Sequence, residues 1–138
     1  MARLDDDPRT SFHKMMRRFR EMFPGSLAYR DMMHGASPET WDPPADIYET
    51  ESSVVIRVEA GGMHKNDFDV KLAADSLRIR GCRMENEPHP KTRIHQMELN
   101  YGPFEKIIRG IPPIRTEQIQ ATYKNGFLVI TLPKAEPK

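Results

Sequence analysis

From residue 53 onward the apolar residues of this chain recur at every second position, which confines that part of the molecule to β-structure. Val54, Ile56, Val58 and Ala60 alternate with Ser53, Val55, Arg57 and Glu59. Phe68, Val70 and Leu72 alternate with Asp69 and Lys71, and Leu77 and Ile79 with Arg78 and Arg80. Ile119, Ala121 and Tyr123 alternate with Gln120, Thr122 and Lys124, and Leu128, Ile130 and Leu132 with Val129 and Thr131. Successive side chains of a strand point to opposite faces, so each run predicts a half-buried strand. Turn residues separate them at Gly61-Gly62, Ala73 to Ser76 and Asn125-Gly126. The last pair supplies the two positive φ angles of a tight hairpin. Arg93 to Leu99 and Phe104 to Ile111 add two less regular strands. About seven short strands with frequent turns predict an all-β antiparallel sandwich, and no long helix fits within 41–133.

Residues 1–40 read differently and predict a separate N-terminal arm, leaving 41–134 as the sandwich and 135–138 as a short tail. Charge does not mark the boundary, since 1–40 holds seven basic and six acidic side chains and the remainder fourteen of each. Methionine does, because five of the nine lie between Met15 and Met33. Asp7 and Pro8 suit a helix start, and Pro24-Gly25 a helix stop. Between them Phe12, Met15, Met16, Phe19, Met22 and Phe23 form one stripe at helical period. The arm is expected to be partly helical and flexible. The stripe, with Met32 and Met33, is a candidate surface for non-native proteins, because thioethers re-pack against varied apolar partners. Packing onto its own domain is the bland alternative. A basic amphipathic helix on a membrane surface is a third.

Composition removes several function classes. Twenty-one basic against twenty acidic residues leave a net charge of +1, without the basic excess of a nucleic-acid binder. The longest apolar run, Phe127 to Ile130, is far short of a membrane span. The start of the chain, with Asp5 to Asp7, lacks the apolar region of a secretory signal, so a cytoplasmic location is expected. One cysteine, Cys82, allows no internal disulfide. No H-E-x-x-H, glycine-rich phosphate loop or G-x-S-x-G is present, so no catalytic residue, metal ligand or cofactor is nominated. His13, His34, His64, His89 and His95 are expected at the surface. Cys82, flanked by Arg80 and Arg83, is expected to be inert packing rather than a reactive thiol. The polar, proline-bearing stretch from Arg83 to Thr92 is long for a compact β domain and would carry 93–99 away from its own sheet, toward an edge of a second chain.

These residues resemble the small heat-shock proteins, the alpha-crystallin-domain family, over about 41–134. Ala121-Thr-Tyr-Lys-Asn-Gly-Phe-Leu-Val-Ile-Thr-Leu-Pro-Lys134 is similar to the family's A-x-x-x-N-G-V-L-x-I-x-x-P-K, with Phe127 in the usual valine place. Trp41-Asp-Pro-Pro-Ala-Asp-Ile-Tyr-Glu-Thr50 resembles W-x-P-x-x-D-I-x-E-T, and Leu77-Arg-Ile-Arg-Gly81 resembles L-x-I-x-G. Glu98-Leu-Asn-Tyr-Gly-Pro-Phe104 with Ile111-Pro112 resembles E-x-x-x-G-x-F followed by L-P. The resemblance implies an immunoglobulin-like sandwich and an ATP-independent holdase, which keeps partly unfolded proteins from aggregating. It implies a bacterial-type dimer, in which Arg93 to Leu99, with Ile94, Met97 and Glu98, crosses to the partner's edge near Trp41 and Ile47. It also implies a groove lined by Val70, Leu72, Ile119 and Ala121, although ordinary core is the plainer reading of these four. Two departures stand out. Ala60-Gly61-Gly62-Met63 replaces the family's L-P-G-V, which predicts a looser turn. No I-x-I follows Lys134, and four residues reach at most ~14 Å. Three outcomes are therefore open beyond the dimer: the arm assembles the dimers, a related protein's tail fills the groove, or the chain stays small. The alternative reading is a non-enzymatic adaptor that binds a folded partner through the sandwich.

Overall fold

The computed structural model describes residues 41–85 and 89–137, together with Lys14, Arg17 and Glu21. Seven strands follow one another: β1 (Ala45–Glu49), β2 (Ser53–Glu59), β3 (Phe68–Ala73), β4 (Ser76–Arg83), β5 (Gly102–Ile108), β6 (Gln120–Lys124) and β7 (Phe127–Pro133). The only helical elements between Trp41 and Pro137 are single 3-10 turns at Lys65–Asp67 and Thr116–Gln118, among the described residues. In the arm, Lys14, Arg17 and Glu21 are helical and exposed, at positions that lie off the predicted apolar stripe.

The strands form two antiparallel sheets, one ordered β1-β2-β7-β6 and the other β3-β4-β5. Alternation dictates the layer between them. Val54, Ile56 and Val58 of β2, Val70 of β3, Leu77 and Ile79 of β4, Phe104 of β5 and Leu128, Ile130 and Leu132 of β7 are all buried in one cluster. Each buried aliphatic side chain contributes about 1.5–3 kcal/mol relative to exposure, which is why the period-2 pattern selects this register over a one-residue slip. The β6–β7 turn is the expected two-residue hairpin: Lys124 pairs with Phe127, and Asn125 and Gly126 have φ of 54° and 83°.

The strand inventory differs from the sequence expectation in two places. Arg93 to Leu99 forms no strand within this chain, and the seventh strand is instead β1, whose residues are mostly exposed. The strand predicted from Phe104 to Ile111 begins earlier, at Gly102, and ends at Ile108, before Gly110 with φ 79°. The Gly61-Gly62 turn is tied rather than slack. Tyr123 Oη donates to the Ala60 carbonyl (2.7 Å) and accepts from Met63 N–H (3.3 Å), and Ala60 N–H donates to the Gly126 carbonyl (2.8 Å). A side chain from β6 thus does the work of the missing proline.

Candidate functional site

The excursion between β4 and β5 has a built base. Arg83 ends β4 and Gly102 begins β5, and the two are register partners. The Arg83 guanidinium donates from Nε and Nη2 to the Asn100 carbonyl (2.9 and 2.6 Å) and from Nη1 to the Gly61 carbonyl (3.2 Å). It lies 4.3 Å from the Trp41 ring centre and 5.5 Å from that of Tyr101. Trp41 is held in turn: its Nε1–H donates to the Gly102 carbonyl (3.0 Å), and its ring meets Phe104 edge-on at 5.1 Å. An isolated parallel bridge between Trp41 and Phe104 lays residue 41 along the outer edge of β5. Trp41, expected at a dimer interface, is thus engaged within its own chain.

Beyond this base, every residue from His89 to Tyr101 is exposed. Ile94, Met97 and Leu99 are 59%, 52% and 72% exposed, an apolar cost that a lone chain leaves uncompensated. In the other sheet, β1 pairs with β2 and with no other strand among the described residues. Ile47 pairs with Ile56 and so shares its inward face. Yet Ile56 is fully buried while Ile47 is 50% exposed, because three strands opposite four leave the outermost strand uncovered. Tyr48, on the other face, is 47% exposed. An open strand edge with bare apolar residues and an unpaired apolar segment are complementary, since each lacks what the other supplies. Glu98 is also exposed. Ile94 and Met97 are three apart, so an extended chain directs them to opposite faces. Tyr48, Leu99 and Tyr101 belong with this surface and were not picked out from the sequence. Their signal was apolar content inside segments otherwise rich in charge.

The other predicted residues divide. Val70, Ile119 and Ala121 are buried in the core cluster, and Leu72 packs against it half-buried. Val70 and Leu72 stand on β3 and Ala121 on β6, which edge the two sheets, and Ile119, just before β6, lines a shallow depression beside Glu117, Gln120, Thr131 and Pro133. Phe12, Met15, Met16, Phe19, Met22, Phe23, Met32 and Met33 lie outside the described residues.

The one thiol is held unreactive by its surroundings. Cys82 is fully buried, with its Sγ 3.9 Å from Met84 Sδ. Burial, with a smaller contribution from the Asp67 charge, pushes its thiol up to about 12, so no thiolate forms near neutrality. Asp69 is buried but satisfied: Arg80 of the neighbouring strand donates to its Oδ2 from Nη2 (2.6 Å) and Nε (3.1 Å). His64, His89 and His95 are exposed, and no group of three or more metal-ligating side chains occurs among the described residues. No helix among the described residues is long and apolar enough to cross a membrane.

The comparisons with known proteins match this architecture. The model of the Hsp20/alpha crystallin family matches residues 46–138. Small heat shock protein C2 of Rickettsia felis is 34% identical over 94 residues, which are 68% of this chain and 61% of that protein. The chain therefore spans about three fifths of the length of that relative. Among solved structures, heat shock protein 16.0 from Schizosaccharomyces pombe superposes with a TM-score of 0.66 at 28% identity, over 71% of this chain and 91% of that one. The hspA of Xanthomonas axonopodis gives 0.64 at 26% identity, over 72% and 99%.

Proposed function

This chain belongs to the Hsp20/alpha crystallin family, and we propose on that footing that it is an ATP-independent holdase, not an enzyme, built from strand-exchanged dimers. One observation carries the reading: the exposed 93–99 segment and the open β1 edge each leave apolar residues that the other can cover. In the dimer, 93–99 of each chain lies along β1 of its partner, with Ile94, Met97 and Glu98 meeting Ile47 and the chain near Trp41. The dimer is a homodimer, and larger assemblies, with copies of itself or a related protein, use the arm and the groove near Val70, Leu72, Ile119 and Ala121. Cytoplasmic work in a reducing compartment fits a chain whose one cysteine is buried.

Clients are partly unfolded proteins, which aggregate through exposed apolar surface. An apolar arm that covers such surface gains about 25 cal/mol per Å², less the cost of ordering itself. Phe12, Met15, Met16, Phe19, Met22, Phe23, Met32 and Met33 make that contact. The reading is tested by light scattering from a heat-labile enzyme warmed without ATP. Near-stoichiometric full chain suppresses the scattering, and the Phe12→Ser, Phe19→Ser, Phe23→Ser triple variant loses most of this effect while remaining assembled. Full suppression by the triple variant would remove the arm from the mechanism. No suppression by the parent chain would remove the holdase reading itself and favour an adaptor.

A further inference from the structure

The Arg83 side chain ties the end of β4 to main chain at two other places in the sequence and to the ring of Trp41. Its own residue closes β4, its fork holds the carbonyls of Asn100 and Gly61, and its guanidinium carbon lies 4.3 Å from the ring centre of Trp41, which is itself bonded to Gly102. The acceptors are carbonyls rather than carboxylates, so the guanidinium forms charge-assisted bonds to the backbone and not an ion pair. A side chain with one ammonium point could not make this fork. The contacts converge where the 84–100 excursion leaves the sandwich and where it returns. Asn100 directly follows Leu99, the most exposed apolar residue of the segment.

We propose that Arg83 is the positioning residue of strand exchange: by closing the base of the excursion it fixes where and in which direction Ile94, Met97 and Leu99 are offered to a partner's β1. This rests on the strand-exchange reading above. Closing a loop at its base removes conformations from its tip before association, so less order is lost on pairing. The clamp accordingly acts on dimer affinity and on subunit exchange more than on the sandwich itself. Trp41 serves the interface at second hand, as the platform on which the guanidinium rests.

The test uses the full chain and its single tryptophan. Dimer dissociation is read by sedimentation over a dilution series, and subunit exchange by native mass spectrometry of 15N-labelled and unlabelled chains. Arg83→Lys is expected to change Trp41 emission, weaken the dimer at least tenfold and accelerate exchange, with the folded circular dichroism spectrum retained. Asn100→Ala keeps the carbonyl and is expected to leave all three unchanged. Trp41→Phe, which removes the indole donor while keeping a ring against Phe104, moves affinity in the same direction as Arg83→Lys and stands in should the latter fail to fold. Unchanged affinity and exchange in a folded Arg83→Lys chain whose Trp41 emission has shifted would overturn the proposal. The double variant Ile94→Asp, Met97→Asp separates the two layers. If it abolishes the dimer while Arg83→Lys does not weaken it, exchange stands and the clamp falls. If it leaves the dimer intact, both fall.

Discussion

Gly81 and Phe104 face each other across β4 and β5, and the phenylalanine ring fills the space that a side chain at 81 would need. A Cβ at residue 81 would lie 2.4 Å from Phe104 Cζ and 2.5 Å from Cε2. The ring cannot retreat easily, being fully buried between Trp41 and Phe68. Gly81→Ala is expected to destabilise the domain by about 1–3 kcal/mol, read as a lower urea midpoint at an unchanged slope. Phe104→Leu should cost stability in the parent chain but cost much less, or recover some, in the Gly81→Ala background. The neighbouring Cys82 makes a pH prediction. Its folded pKa of about 12 lies above its ordinary 9.0, so the unfolded chain sheds this proton first. Stability is therefore fully present below pH 9 and declines above it by about 1.4 kcal/mol per pH unit until the folded thiol ionises. The thermal midpoint difference between parent and Cys82→Ala should shrink from pH 8 to pH 11. A constant difference would mean that the thiol is not held neutral.

Two hairpins show how far local chemistry carries an element. Asn125 and Gly126 both adopt positive φ, as their residue types favour. The β3–β4 turn reaches the same end with the wrong residue: Ala74 has φ 54°, a conformation that costs a residue with a Cβ roughly 1–2 kcal/mol. With positive φ at only the first of its two central residues, this turn has the II′ pattern, in which glycine is favoured at that place. Ala74→Gly is expected to stabilise by about 0.5 kcal/mol, or about 2–4 °C in thermal midpoint, and to exceed Ala74→Asn. A lower midpoint for both would show that the turn is not strained. β1 is the opposite case. It has strand geometry with little burial, because its partners β2 and the open edge define it rather than its own apolar pattern. The alternation that identified β2, β3, β4, β6 and β7 is a record of one-sided burial, and it is silent where a strand overhangs its opposing sheet.

At the scale of the whole molecule the β1–β2 turn is latched to the residue that follows β7. Lys134 Nζ donates to the Thr50 carbonyl (2.8 Å) and meets Glu49 Oε1 at 2.8 Å, while Lys134 N–H donates to the Ser52 carbonyl (2.8 Å). Glu49 is largely exposed and Lys134 is buried, so the carbonyl bond outweighs the ion pair. Lys134→Met is expected to destabilise by about 1.5–3 kcal/mol, whereas Glu49→Gln should cost under about 1 kcal/mol. Equal losses by denaturant titration would reverse that ranking. The resemblance singled out Glu49-Thr50 and Pro133-Lys134 as parts of two separate motifs. Their meeting across the β1–β2 turn supplies a physical reason for both.

What the linear chain determined is the class of fold, most of its strands, the tight β6–β7 turn and the core, since these follow from periodicity and turn chemistry within a few neighbouring residues. It also marked the excursion after Arg83 as something other than a plain loop. The tertiary structure alone decided that Trp41 is held by its own chain, that Ile47 stays bare on an inward face, and that Arg83, Gly61 and Asn100 meet. Each of these depends on which strands are neighbours and how far one sheet overhangs the other. The contacts of Arg83 and Trp41 join residues 17 to 61 positions apart, and no local pattern encodes them.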